Sequence, residues 1–446
     1  MIKEYDLIVI GTGPAGRTVL AKCQEGNLKV AAVESRKFGG TCALRGCNPK
    51  KVLAGAAEVI ARSADMCGRG IKRPCEIAWP ELIQFKRTFT DGIPKQVEKE
   101  LHDLEIDTYH GSAKFTGRST IRVKEDILSA KHFFIGSGSR PRPLNIEGEE
   151  LVLTSDQFME RDELPQSIIF IGGGYISMEF AHIAARAGSK VIILELTERL
   201  LPKFDQDLVA MLVEESKTIG IEAHVNMPVS SVKKQNRGFT VYAGKNGETH
   251  FKGGLVVHGA GRIPDIDHLG LEDAQVTVSK QGIEVNDCMQ SISNPSIFAA
   301  GDAVTTPFQL TPTAEIEAKV AAKNIIKENS AKLDTFIVPS AVFTVPPLAS
   351  VGMGEDDLKE GNVEYEEKFW DSFPSSKRIG LKRSGAKIFV DKNTNRILGA
   401  HLFLPHAEEV INIIALAMRN HLTVDQLNEM VWTFPTSFSD ITEIFR

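Results

Sequence analysis

The sequence has no surplus of basic residues. Its 52 Lys and Arg are outnumbered by 58 Asp and Glu, for a formal net charge of −6 over 446 residues. Nothing in that balance neutralises a phosphate backbone, which argues against nucleic acid as the main partner. Long hydrophobic runs are missing too: none approaches the roughly 18 apolar residues of a membrane span. The apolar start Leu7-Ile8-Val9-Ile10 is too short for a secretory signal core and runs directly into glycines. A soluble, cytoplasmic chain is therefore expected. Cysteine is sparse, at Cys23, Cys42, Cys47, Cys67, Cys75 and Cys288, which is no framework for a secreted disulfide scaffold. What is present is ordinary globular composition, 42% hydrophobic and 25% charged, with 37 glycines. The length suits roughly three domains.

Residues 5–10 have the length and β-branching of a buried strand. Gly11-Thr12-Gly13-Pro14-Ala15-Gly16 follows, then a helical stretch over 17–26, then Lys29-Val30-Ala31-Ala32-Val33 ending at Glu34. Strand, glycine turn, helix, strand and acid in this order is the context that makes GxGxxG informative. The glycines permit a tight turn and close approach of a pyrophosphate to the helix N-terminus, and Glu34 offers a carboxylate to ribose hydroxyls. The pattern recurs as a strand at 167–171, the turn Gly172-Gly173-Gly174-Tyr175-Ile176-Ser177, a helix over 178–187, and a strand at 190–194 ending at Glu195. First glycine and acid lie 23 residues apart in both copies. Two dinucleotide sites are expected, with Ser177 in the third glycine place loosening the helix–strand packing of the second.

The stretch from about 55 to 110 is charged and helix-like, without nameable chemistry. Alternating segments around 220–260, such as Phe239-Thr240-Val241-Tyr242, fit an antiparallel addition to the second nucleotide fold. From about 336, strands such as Ala341-Val342-Phe343-Thr344 and an apolar helix over about 407–420 suit a third domain. The expected fold class is α/β, with two Rossmann-like dinucleotide-binding domains and a C-terminal α+β domain. Just after the first acid stands Gly39-Gly40-Thr41-Cys42-Ala43-Leu44-Arg45-Gly46-Cys47-Asn48-Pro49-Lys50-Lys51. Two cysteines five apart beside a dinucleotide site can close a small ring, and in a reducing compartment such a disulfide is usually catalytic. A metal site would need further Cys or His in the segment, so no metal is expected.

Together these features resemble the pyridine nucleotide-disulfide oxidoreductases, the family of glutathione reductase and lipoamide dehydrogenase, over nearly the whole chain. The family's redox element matches Gly39 to Lys50, and its flavin-contacting GD element matches Phe298-Ala299-Ala300-Gly301-Asp302. Its ATGS-like connection matches Ile135-Gly136-Ser137-Gly138-Ser139, its GRxP element Gly261-Arg262-Ile263-Pro264, and its dimerisation-domain opening residues 342–352. The resemblance implies an FAD domain of residues 1–145 and 263–335, an NAD(H) domain of 146–262, and a dimerisation domain of 336–446, hence a homodimer. It implies that Cys42 is the interchange thiol facing substrate and Cys47 the charge-transfer thiol facing the flavin. Lys50 and Glu179 match a family ion pair beside the flavin N5, which supports a reduced-flavin anion. On family positions near FAD fall Gly11, Gly13, Pro14, Ala15, Gly16, Glu34, Ser35, Gly40, Thr41, Lys51, Ala113, Gly136, Ser137, Gly301, Asp302 (for the ribityl chain) and Thr311. Near the nicotinamide nucleotide fall Gly172, Gly174, Tyr175 (a gate over the flavin), Ile176, Glu195, Gly261 and Arg262. NADH is expected rather than NADPH, because Glu195 repels a 2′-phosphate. The places where NADP-specific relatives carry arginines hold Leu196 and Pro202, with Arg199 alone nearby.

The family's disulfide reductases end in His-Pro-Thr-x-x-Glu, contributed across the dimer interface, with the His as acid–base group for the dithiol substrate. Here the register reads Phe434-Pro435-Thr436-Ser437-Phe438-Ser439-Asp440. Phe434 replaces the His, Ser439 the Glu, and Asp440 is one place off. His132, His258, His406 and His421 read as structural or exposed. No cysteine follows Cys288, whereas the family's mercuric reductases carry a C-terminal pair. The expected activity is oxidation of NADH through FAD to Cys42–Cys47, and onward to a small-molecule acceptor that takes no proton from position 434. A quinone, a metal ion, a persulfide and an unusual disulfide all qualify. Two other readings are a conventional lipoamide or glutathione-type reductase that uses water as acid, and a non-catalytic NADH and thiol redox sensor.

Overall fold

Short β-branched runs separated by glycine turns and amphipathic helices build parallel sheets, since each crossover helix buries one stripe against the sheet. The computed structural model describes residues 2–334 and 337–445. Its contacts divide into two compact units: Met1–Lys50, Phe85–Arg142 and Arg262–Thr335 in one, and Lys51–Gln84, Pro143–Gly261 and Phe336–Arg446 in the other.

In the first unit the strand Ile2–Ile10 pairs in parallel with Val30–Glu34 on one side and Asp126–Ile135 on the other. Asp107–His110 extends the sheet beyond Val30–Glu34, and Ile297–Ala299 adds in parallel beside Asp126–Ile135. The antiparallel strands Thr120–Val123 and Ala113–Gly117 complete seven. The central strand is apolar without alternation, with Leu7, Ile8 and Val9 fully buried, as a sheet covered on both faces requires. The crossover helix Pro14–Glu25 begins three residues earlier than the helical pattern suggests, because Pro14 occupies the first helical position, where its missing N–H costs nothing.

The second unit repeats the design with four parallel strands in the order Ile221–His224, Lys190–Leu194, Ser167–Ile171, Leu255–His258. Its helix, Tyr175–Arg186, likewise starts three residues before the expected position. The antiparallel sheet Val229–Gln235, Gly238–Ala243, Thr249–Gly253 forms where alternation indicated it. A five-stranded sheet from Ser340 onward carries the helix Ala407–Arg419. The strand expected over 341–344 stops at Val342. The next amides leave the ladder for side chains of helix Tyr175–Arg186: Phe343 N–H donates to Glu179 Oε1 at 2.9 Å and Val345 N–H to His182 Nδ1 at 3.1 Å.

Candidate active site

Within the first unit, Gly11 has φ +99°, and a Cβ there would lie 2.3 Å from the Gly136 carbonyl oxygen. A Cβ on Gly16 would lie 1.9 Å from the Gly11 carbonyl oxygen, so strand, turn and helix close only on glycine. Helix Pro14–Glu25 has no side-chain cap and no acid in its first turn, so its N-terminal amides face the turn uncompensated. Glu34 is buried. Its Oε2 accepts from Thr12 N–H at 3.0 Å and Thr12 Oγ1–H at 2.8 Å, and its Oε1 from Arg36 N–H at 2.9 Å. Thr12 also accepts from Gly39 N–H at 3.2 Å, tying the glycine turn to the redox element. Gly40 packs directly on Gly13, 2.3 Å from a Cβ position to its Cα. Pro14 and Ala15 open the helix, Ser35 and Thr41 are exposed, and Ala113 is buried at the head of its strand. Ser137 Oγ is buried with no hydrogen-bond partner among the described residues.

The cysteines bracket a break between two helices. Gly40–Arg45 carries Cys42, Gly46 interrupts, and Cys47 opens the helix Cys47–Asp65. Both are free thiols, hydrogen-bonded to each other. Their chemistry is asymmetric. The Cys47 thiol is lowered to about 6, chiefly by the hydrogen bond from Cys42, with help from Thr311 and the Lys50 ammonium, against a desolvation cost. Cys42, as donor in that pair and partly buried, moves well above the ordinary thiol range. Thr311 Oγ1 lies 3.6 Å from Cys47 Sγ, so a residue expected near FAD also contacts the redox thiol. Asp302 Oδ2 accepts from Ser139 Oγ–H at 2.7 Å. Arg262 donates to Ser139 Oγ at 2.9 Å and to the Ser139 carbonyl at 2.5 Å, so its guanidinium braces the loop beside Asp302. Gly301, at φ +72°, donates its N–H at 2.8 Å to Glu317, whose carboxyl burial pushes upward. Sequence reasoning passed over Thr12, Ser139 and Glu317. The signal for Glu317 was an acid on the stripe that also carries Ala314, Ala318 and Ala321.

The second unit holds the other residues. Gly172 again takes a left-handed φ of +98°, and Gly173 N–H donates to Glu195 Oε2 at 2.5 Å. Thr197 donates twice to Glu195 Oε1, each at 2.7 Å. Gly174 caps the helix that Tyr175, half exposed, and Ile176 begin, and Gly261 has φ +96°. The packing around Ser177 is not loosened. Ser177 is fully buried because Gly259 opposes it, where a Cβ would meet Ser177 Oγ at 2.0 Å. Glu179 is buried beneath its bond from Phe343 N–H. Lys51 reaches Glu58 at 2.7 Å and lies over the Phe343 ring. Leu196 is exposed and Arg199 pairs with Glu198 at 3.4 Å.

Phe434 is 80% exposed. Ser439 folds onto its own helix start, accepting from Thr436 N–H at 2.9 Å, and Asp440 accepts from Ser375 N–H at 2.7 Å. Neither offers an acid at position 434. His406 caps Ala407–Arg419 with φ +62°, and His421 follows that helix with φ +56°. His258 is buried, and burial lowers the His132 imidazole. Among the described residues no three His, Cys, Asp or Glu side chains cluster as metal ligands, and no helix is long and apolar enough to cross a membrane.

Residues 5–318 match the family described as pyridine nucleotide-disulphide oxidoreductase, and residues 338–444 match its dimerisation domain. The chain is 31% identical over 469 residues to dihydrolipoyl dehydrogenase of Bacillus subtilis (strain 168), covering 99% of this chain and 98% of that one. It is 31% identical over 442 residues to mercuric reductase of Lysinibacillus sphaericus, covering 97% and 80%. Among solved structures, the Cu(II) complex of the HOCl-induced flavoprotein disulfide reductase RclA from Escherichia coli superposes with a TM-score of 0.90 at 26% identity, over 100% of this chain and 99% of that one.

Proposed function

We propose that this chain, which belongs to the pyridine nucleotide-disulphide oxidoreductase family, is a cytoplasmic homodimer that oxidises NADH, reduces Cys42–Cys47, and passes the electrons to a small acceptor requiring no protein-borne acid. Enzymes of this family are FAD-dependent and use NAD(P)H, and the chain is such an oxidoreductase. Its residues fit FAD: the glycine cradle, the uncapped N-terminus of Pro14–Glu25, the orphaned Ser137 hydroxyl and the braced Asp302 are the partners an adenine dinucleotide needs. FAD supplies two-electron transfer between the nicotinamide and the thiols. In this reading FAD belongs to 1–145 and 263–335, the nicotinamide nucleotide to 146–262, and self-association to 336–446. Lys50 and Glu179 keep the roles that the resemblance implies.

The observation that carries the reading is the asymmetry of the thiols: a Cys47 thiolate held by Cys42, Thr311 and Lys50, and a Cys42 thiol left to exchange with substrate. The absence of an acid at Phe434 selects acceptors that leave without protonation. The mercuric reductase relative and the copper-bound neighbour favour a metal ion among them. NADH is favoured by Glu195, whose carboxylate is fixed by Gly173 and Thr197 where a 2′-phosphate would need a cation.

The test is an anaerobic titration of the yellow protein with NADH and with NADPH, followed by steady-state turnover of quinone, metal, persulfide and disulfide acceptors. Faster reduction by NADH is expected, and Glu195→Arg should shift the NADPH:NADH ratio of kcat/KM at least tenfold toward NADPH. A clear NADPH preference in the wild type refutes the nucleotide assignment. Lipoamide turnover at the rate of dye reduction favours the conventional reductase, and no turnover with any acceptor favours the sensor.

A further inference from the structure

Cys42 opens into a cleft of about 430 Å³ in the first unit, walled by helix Pro14–Glu25, helix Ile93–Asp103 and the start of helix Thr311–Ile326. Leu101 and Leu104 give it an apolar side. Three charged side chains line it: Arg17, Glu100 and Glu315. The single cation is already committed. Arg17 Nη2 lies 2.7 Å from Glu100 Oε2, while Gln96 holds the other Glu100 oxygen at 2.9 Å. Glu315 has no ionic partner among the described residues. Among the described residues the lining therefore carries one surplus negative charge beside the exchanging thiol and no uncommitted cation.

We infer that Glu315, together with the Glu100 clamp on Arg17, makes this cleft select uncharged or cationic acceptors and exclude anionic ones. The inference rests on Cys42 being the interchange thiol. An anion approaching Cys42 must shed water against Glu315 with no uncommitted cation in the lining to receive it, whereas a neutral acceptor meets the apolar wall without that penalty. Glu315 and Glu100 thus set specificity without touching the reacting atoms.

Two aromatic disulfides test this without needing an acid, because their leaving groups are weak bases: 4,4′-dithiodipyridine, which is neutral, and 5,5′-dithiobis(2-nitrobenzoate), a dianion. Cys42, passing its proton along the hydrogen bond to the Cys47 thiolate, attacks one sulfur, breaking the S–S bond, releasing one arylthiolate and forming a mixed disulfide. The Cys47 thiol loses that proton to the released arylthiolate or to water before the second step. Cys47 then attacks the Cys42 sulfur, releasing the second arylthiolate and closing Cys42–Cys47, which the reduced nicotinamide nucleotide re-reduces by two electrons. Wild type should prefer the neutral probe in kcat/KM. Glu315→Gln should narrow the ratio about three- to tenfold, Glu315→Lys should narrow it further, and Glu100→Gln should raise dianion turnover by freeing Arg17. These shifts should shrink as salt rises from 0.05 to 0.5 M, while flavin reduction by the nicotinamide nucleotide, which also reports folding, stays unchanged. A ratio constant within twofold across all three variants overturns the inference. Cys42→Ser separates the two levels: turnover of both probes should vanish, and if it persists the interchange assignment itself is wrong.

Discussion

Cys47 and Cys42 are the same residue type five positions apart, yet one is an anion near neutrality and the other is not. The difference comes from who donates. Cys42 gives its proton to a hydrogen bond on Cys47, Thr311 sits 3.6 Å from the same sulfur, and Cys47 begins a 19-residue helix whose N-terminus stabilises negative charge. The sign follows directly. A thiol lowered to about 6 is a thiolate above that pH and regains its proton below it. The long-wavelength thiolate-to-flavin absorbance of the two-electron-reduced enzyme should therefore be full at pH 8 and fade as pH falls through about 6. Cys42→Ser should retain the band, Cys47→Ser should abolish it, and Thr311→Val should move its midpoint upward. A wild-type midpoint near the ordinary thiol value of about 8.5 would contradict the assignment. The element Gly39 to Lys50 was legible in the sequence because two cysteines occur in one short run with Gly39, Gly40, Thr41, Gly46, Pro49 and Lys50. The bracing of Asp302 by Ser139 and Arg262 was not, since those partners lie 163 and 123 residues from their acceptors.

At the scale of elements, both nucleotide folds were readable from glycine spacing and strand composition, and the errors lie at their ends. Each crossover helix starts three residues early, because apolar periodicity registers only once the helix faces the sheet, while the first turn faces the glycines. The strand at 340 stopped short because Glu179 and His182, from a helix 160 residues earlier, took its amides, a competition no local pattern records. Ser177 is the most instructive case. Read alone, it is an oversized substitute for glycine. In the fold its hydroxyl fills the space that Gly259 leaves. Gly259→Ala should therefore destabilise the chain by about 1–3 kcal/mol through overpacking. Ser177→Gly alone should cost little beyond helix propensity, and the double variant should recover most of the Gly259→Ala loss. Denaturant unfolding of the four proteins measures the coupling, and simple additivity would show that the two positions do not share that space.

On the scale of the whole molecule, the dimerisation-domain match supports a homodimer, and the C-terminal stretch has the exposed apolar character that self-association consumes: Val431 is 98% and Phe434 80% exposed. In the family that assembly delivers an imidazole to the substrate thiol; here it would deliver a phenyl ring. A positioned acid–base group typically contributes about 10²–10⁴ in rate, roughly 3–5 kcal/mol of barrier. Reduction of lipoamide or glutathione disulfide should be slower than dye reduction by about that factor. Phe434→His alone should recover little, because Ser439 is turned onto Thr436 and Asp440 onto Ser375, leaving nothing to orient the ring. The helix start nonetheless accommodates an acid: Ser439 is the third helical residue after Thr436, where a glutamate also satisfies the Thr436 N–H as a capping box. Phe434→His with Ser439→Glu should therefore raise disulfide turnover by more than the product of the single effects, with dye reduction unchanged. Wild-type disulfide reduction as fast as dye reduction would instead show that replacing the family's imidazole with Phe434 is no functional departure. The onward acceptor would then be an ordinary dithiol couple protonated by water.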